Sequence, residues 1–226
     1  MYNTIISILV ALGILYLAYL YTSGGGSTAS SDILGATQSG RKEFKSNQAL
    51  PTSLNDPKGL TYSYTCWLRV DDYAYRYGQP KVVFVKGSAD MSVSGPAVYF
   101  DANTNDLLVK IDTFGAEEVI PISNLPAKKW FHFGLVVDQD SVDIYINGIL
   151  KTHRTLVQLP RQNTSTVTVA PNGGFDGKVA ALKYYNYYLS PVQVAALLGS
   201  PPEPDKEETQ APTPQYSDIT WWIGRR

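Results

Sequence analysis

Short runs rich in Val, Ile, Tyr and Phe, each closed by turn-forming residues, succeed one another from about Lys45 to Tyr188. A spacing of roughly ten residues between turn signals is the mark of an all-β sandwich. The runs are LTYSYTCWLRV, KVVFVKG, PAVYFD, DLLVKID, EVIPIS, WFHFGLVVD, SVDIYIN, ILKTHRT, STVTVA and KVAALKYYNYY. Within this body a helical period appears only from Ser190 to Leu198, where Ser190 is placed to cap, Pro191 to occupy the first helical position and Gly199 to end the turn.

The period-two pattern is clearest at residues 141–148. Val142, Ile144 and Ile146 share one face, and Asp143 and Tyr145 share the other. Asn147-Gly148 supplies the two positive φ angles of a type I′ turn, which predicts a hairpin there. A second tight connection is expected at Gln139-Asp140.

Composition removes several function classes. The formal net charge is -1 and the Lys and Arg residues are scattered, so no basic field for nucleic acid exists. Cys66 is the only cysteine, which excludes an intramolecular disulfide framework. No Gly-x-Ser-x-Gly, phosphate-binding loop or zinc spacing is present, and His132 and His153 both lie in strand runs. Catalytic residues, metal ligands and cofactors are therefore expected to be absent. Loop acids Asp71, Asp72, Asp90 and Asp101 are expected to be solvated.

The flanks differ from the body. Residues 3–21 carry no charge, and at about 1.5 Å per residue they span about 28 Å, near the thickness of a bilayer core. Ile5, Ile6, Leu9, Leu12 and Leu15 would face lipid, with Tyr16 and Tyr19 at the headgroup level. A single-pass anchor over 1–22 is expected, followed by a Gly/Ser-rich tether over 23–44. Arg41, Lys42 and Lys45 follow the span, which puts the body on the cytoplasmic side by the positive-inside bias. Beyond the body, 200–226 begins as a Pro-rich acidic linker and ends on YSDITWWIGRR. Tyr216, Trp221, Trp222 and Ile223 form an aromatic tip suited to docking on another protein.

Five stretches in order, YSYTCWLRV, VVFVKG, KWFHFGLVV, VDIYING and FDGKVAALKYYNYYLSPVQV, resemble laminin G-like, concanavalin A-like jelly-roll domains over residues 45–199. The resemblance implies an antiparallel jelly-roll β-sandwich in which Tyr184 to Tyr188 lie on the closing strand and Ser190 opens a short final helix. Family members often carry an Asp-Glu pair after the F-D-G stretch, where this chain has Ala180-Ala181. A calcium-holding carboxylate is missing there. Related glucanases carry Glu-x-Asp-x-x-Glu on one strand. That spacing does not occur here, and Glu117 and Glu118 are adjacent and face opposite sides.

Two functional readings follow. A lone N-terminal membrane helix before a laminin G-like domain resembles membrane-anchored minor capsid proteins of large DNA viruses. That resemblance implies a non-enzymatic virion protein whose body lies between internal membrane and capsid shell, with the bilayer and capsid proteins as partners. The alternative is a surface-displayed carbohydrate-binding or adhesion module. Tyr73, Tyr75 and Tyr77 alternate around Arg76 and are suited to contacting a glycan or a partner, or to covering the edge of the core as a strand extension. The sequon Asn163-Thr164-Ser165 agrees with an external body.

Overall fold

In a computed structural model of the chain, the described residues are 11–15, 28–56, 59–199 and 201–202. They form two antiparallel sheets. The strands are β1 (Ser30–Leu34), β2 (Gln38–Ser39), β3 (Phe44–Lys45), β4 (Leu54–Asp56), β5 (Gly59–Asp72), β6 (Lys81–Gly87), β7 (Ser94–Phe100), β8 (Leu107–Ile111), β9 (Glu118–Ile122), β10 (Trp130–Asp138), β11 (Ser141–Ile146), β12 (Ile149–Thr155), β13 (Val167–Val169) and β14 (Asp176–Tyr185). The eight-stranded sheet runs β1-β14-β5-β10-β11-β12, with β2 on β14 and β4 on β5. The six-stranded sheet runs β3-β13-β6-β7-β8-β9. An all-β two-sheet sandwich is thus the architecture, in agreement with the period-two reading.

Alternation sorts each strand between core and exterior. On β5 the residues Tyr62, Tyr64, Cys66, Leu68 and Val70 enter the core, and on β10 their neighbours there are Phe131, Phe133, Leu135 and Val137. Tyr64 lies 5.4 Å from the Phe84 ring of the opposite sheet and 5.0 Å from Tyr184 of β14. Burying rings of this size contributes much of the stability of a sandwich this small. Burial also pushes the Cys66 thiol well above its usual range.

The two-residue turns form where expected. Asn147 and Gly148 take φ of 51° and 73°, and β11 pairs with β12 across them. Gln139-Asp140 joins β10 to β11, with Gln139 at φ 59°.

The F-D-G stretch explains the start of β14. Phe175 is buried with its ring 5.3 Å from Phe100, and Asp176 pairs with Arg41 at 2.9 Å. Gly177 has φ +153° and sits so close to β5 that a Cβ there would come 2.0 Å from the Arg69 carbonyl oxygen. Only glycine fits that approach.

Two differences from the sequence reading concern boundaries. Part of the expected Gly/Ser-rich tether is sheet: β1 pairs with β14, β2 with β14 and β3 with β13, and Ile33 and Leu34 enter the core. Pairing with an edge strand satisfies the backbone whatever the local composition, so tertiary context overrides it. The closing strand also stops earlier than expected, at Tyr185, leaving Tyr187 and Tyr188 beyond it. Asn186 turns the chain there, its side chain accepting from Ala29 N at 2.7 Å and donating to Thr52 O at 3.2 Å.

The final helix is Pro191–Ala196, with a capping box between Ser190 and Gln193. Gly199 follows at φ +42°. The helix lies on the outer face of the eight-stranded sheet, where Val194 and Leu189 pack on Val136, Tyr145 and Tyr185. Ser63 on β5 guides this path, donating to Tyr187 O and accepting from Leu189 N.

Residues 11–15 are helical and exposed, and no helix among the described residues is long and apolar enough to cross a membrane. The rest of the expected span 3–21, with Ile5, Ile6, Leu9, Tyr16 and Tyr19, lies outside the described residues. Tyr216, Trp221, Trp222 and Ile223 lie outside them as well.

Candidate binding site

The segment after β5 was expected to alternate as a strand or to display its tyrosines. It is instead a turn over residues 73–79, with Arg76 at φ 50°, and its aromatic rings take three different roles. Tyr73 closes the core edge: its ring packs edge-on to Phe100 at 5.7 Å, and its hydroxyl donates to the Pro126 carbonyl at 3.2 Å. Burial pushes its pKa up. The Tyr75 hydroxyl donates to Gly173 O at 3.2 Å, and Arg41 stacks 4.5 Å above its ring. Tyr77 is 70% exposed.

Arg76 is held by its own neighbours. Its guanidinium donates to Asn172 O and, at 2.7 Å, to Gln79 Oε1. These bonds fix it as one wall of a hollow of 240 Å³ beside β6. Val82, Pro80 and Met91 give this hollow an apolar lining, and Arg76, Gln79, Asp90 and Asn172 give it a polar rim. Asn172 is held in turn by donating to Ala89 O at 3.0 Å. Hydrogen bonds from Ser88 and Ser92 hold the Asp90 carboxyl at about 2, so it is ionised at neutral pH. The hollow therefore offers an anion, a cation and two amides around an apolar surface.

The remaining polar candidates are occupied structurally. Asp72 accepts from Ala74 N, and Asp101 from Asn103 N and Thr104 N, each closing its own turn. Asp71 pairs with Arg69 at 2.9 Å. Glu117 pairs with Lys110 at 2.5 Å, and Glu118 accepts from Val157 N at 2.6 Å. No three His, Cys, Asp or Glu side chains converge as a metal site among the described residues. His132 is buried against Trp67, ring centroids 5.3 Å apart, and burial lowers its pKa to about 4. It stays neutral at pH 7. His153 meets Asp143 at 2.5 Å on exposed β12.

A second hollow, of 390 Å³, was missed by sequence reasoning. It lies between residues 47–52 and 162–166, with Lys86 at its wall. Its residues are far apart in sequence, and no single motif joins them. The sequon asparagine, Asn163, lines it. Its amide donates to Lys86 O at 2.9 Å, so the nitrogen that a glycan would use is already engaged in the fold.

The family model of the concanavalin A-like lectin/glucanases superfamily matches residues 40–195. No curated protein matches the sequence. Among solved structures the chain resembles the receptor binding domain of botulinum neurotoxin D, with TM-score 0.56 and 11% identity over 77% of this chain and 48% of that one. It also resembles the binding domain of Paraclostridial Mosquitocidal Protein 1, with TM-score 0.54 and 17% identity over 78% and 48%. The botulinum neurotoxin type G receptor binding domain gives TM-score 0.50 and 17% identity over 75% and 50%. The chain thus spans about half the length of each of these. At such identities the likeness is one of fold.

Proposed function

Because the chain belongs to the concanavalin A-like lectin/glucanases superfamily, we propose that it is a non-enzymatic carbohydrate-binding or adhesion module, held at a membrane by residues 3–21. The observation that carries this reading is the hollow bounded by Arg76, Gln79, Asp90 and Asn172 over Val82 and Met91. A sugar ring has an apolar C–H face and a rim of hydroxyls. The apolar lining suits the first, and the amides, guanidinium and ionised carboxylate suit the second. Tyr77, exposed in the same turn, adds a ring against which a further sugar can stack. The solved chains of similar fold are named as binding domains, which supports a binding role over catalysis. The structural engagement of Glu117 and Glu118 supports it too, since glycoside hydrolysis needs two carboxylates free to flank the scissile bond.

A glycan array probed with the full chain tests this reading. Selective binding that is lost in Asp90→Ala and reduced in Tyr77→Ala is the expected result. Silence across the array, or binding indifferent to both changes, would end it. The virion-scaffold reading depends on residues 3–21, of which only 11–15 are described, and on 216–223, outside the described residues, and no feature of the sandwich favours it over a displayed binding module.

A further inference from the structure

Lys86 stands on the inward row of β6, opposite Val167 and two residues from Phe84, both of which belong to the core. It is 5% exposed. Its Nζ has two acceptors, Asn163 O and, at 3.2 Å, Asn163 Oδ1. An ammonium has three protons to give. No carboxylate pairs with it among the described residues, and burial is the sole influence on its pKa, which it lowers.

Lys81, at the other end of the same strand, is the informative contrast. It is buried too, and its Nζ meets the carbonyls of Asp101 and Ala102 at 2.8 and 3.0 Å. Burial lowers its pKa as well, with Arg76 adding to this, but the charges of Asp101 and Asp72 act in the opposite sense. Both ammonium groups have two acceptors, and what sets Lys81 apart is the nearby carboxylate charge that offsets its burial. Lys86 is a buried cation without a counter-charge among the described residues, and it lines a hollow of 390 Å³. A charge taken out of water needs a partner, and a removable one satisfies the same requirement as a fixed one.

We propose that this hollow binds a sugar acid, with Lys86 as the group that receives its carboxylate. One cation matches one monoanion better than it matches a phosphate dianion. The other walls match the rest of such a ligand: Asn47 and Ser165 present an amide and a hydroxyl, and Leu50 and Pro51 form an apolar side. The volume falls within the usual range for small-ligand sites, about 300–1,000 Å³. The site is separate from the hollow at Arg76, shares no lining residue with it, and stands whether or not that one binds glycans.

Isothermal titration calorimetry on the full chain in detergent micelles, with glucuronic acid as probe, glucose as neutral control and inorganic phosphate as generic anion, tests the proposal. Glucuronic acid should bind at least about tenfold more tightly than either control, because a charge-assisted hydrogen bond is at stake. Lys86→Met keeps most of the stem and should lose that preference. Ala49→Trp changes an exposed wall residue, should leave the fold intact by circular dichroism, and should block the hollow. If Lys86→Met fails to fold, Ala49→Trp decides. Phosphate binding equal to glucuronic acid, binding unchanged in Ala49→Trp, or no heat with glucuronic acid would each overturn the proposal. Asp90→Ala and Tyr77→Ala should leave this binding unchanged, which separates its failure from that of the glycan site.

Discussion

On the eight-stranded sheet the outward residues Val136 and Tyr145 are almost fully buried, because Leu189 and Val194 lie over them. The outward side of the six-stranded sheet has no helix over it among the described residues. There Val82, Val85 and Ala97 are buried as well, in a smaller cluster with Met91 and Tyr99, while Val119 and Pro121 stay exposed. The first face adds a second small core to the sandwich. The second ends at the charged and amide rim of the Arg76 hollow, which borders it at Val82. One sheet face is covered by the final helix, and the other is covered in part and exposed towards β9.

Substitutions on the two faces should therefore behave differently, and the largest effect is expected under the helix. Val194→Asp puts a carboxylate without a partner against Gly134 and Tyr145, and should cost about 3 kcal/mol or more in urea unfolding. A loss below about 1 kcal/mol would mean that the helix merely rests on the sheet.

The covered face should also respond to acid through His132. Its folded pKa of about 4 lies below the ordinary 6.5, so the unfolded chain takes up this proton first as pH falls. The His132 contribution is thus full above about pH 6.5, declines between about 6.5 and 4, and is lost below that, up to about 3 kcal/mol in all. His132→Phe should flatten this part of the stability profile, and an unchanged slope would assign it elsewhere.

A smaller effect, about 1 kcal/mol, is expected for Ser190→Ala, which removes one arm of the capping box while leaving the sheet untouched. On the open side, Tyr77→Ala should change stability by less than about 0.5 kcal/mol while weakening glycan binding. A large stability loss there would show that the exposed ring supports the fold and would blur the distinction between the faces.

The ten strands β5 to β14 could be read from residue order because they alternate at period two or carry dense β-branched and aromatic runs. β1 to β4 could not. Their sequences SSDIL, QS, FK and LND have little pattern of their own, and they are held by the edges of β14, β13 and β5. The site was legible in a similar, partial way. The density of tyrosines at 73–77 marked the turn that borders the Arg76 hollow but not the division of labour within it, which is set by Phe100, Gly173 and Arg41 from distant parts of the chain. Lys86 gave no signal at all. Its distinction is burial with no carboxylate beside it among the described residues, which becomes visible only when its surroundings are known.

The pairing of β1 with β14 also has a mechanical side. Ser30, where the chain enters the sheet, is opposite Tyr185, where β14 ends. A pull between these two points reaches the antiparallel ladder at one end, so its bonds would open one after another rather than share the load. Once the helix was drawn off, β1 would peel from the edge at low force, while β14 remained clasped by β5.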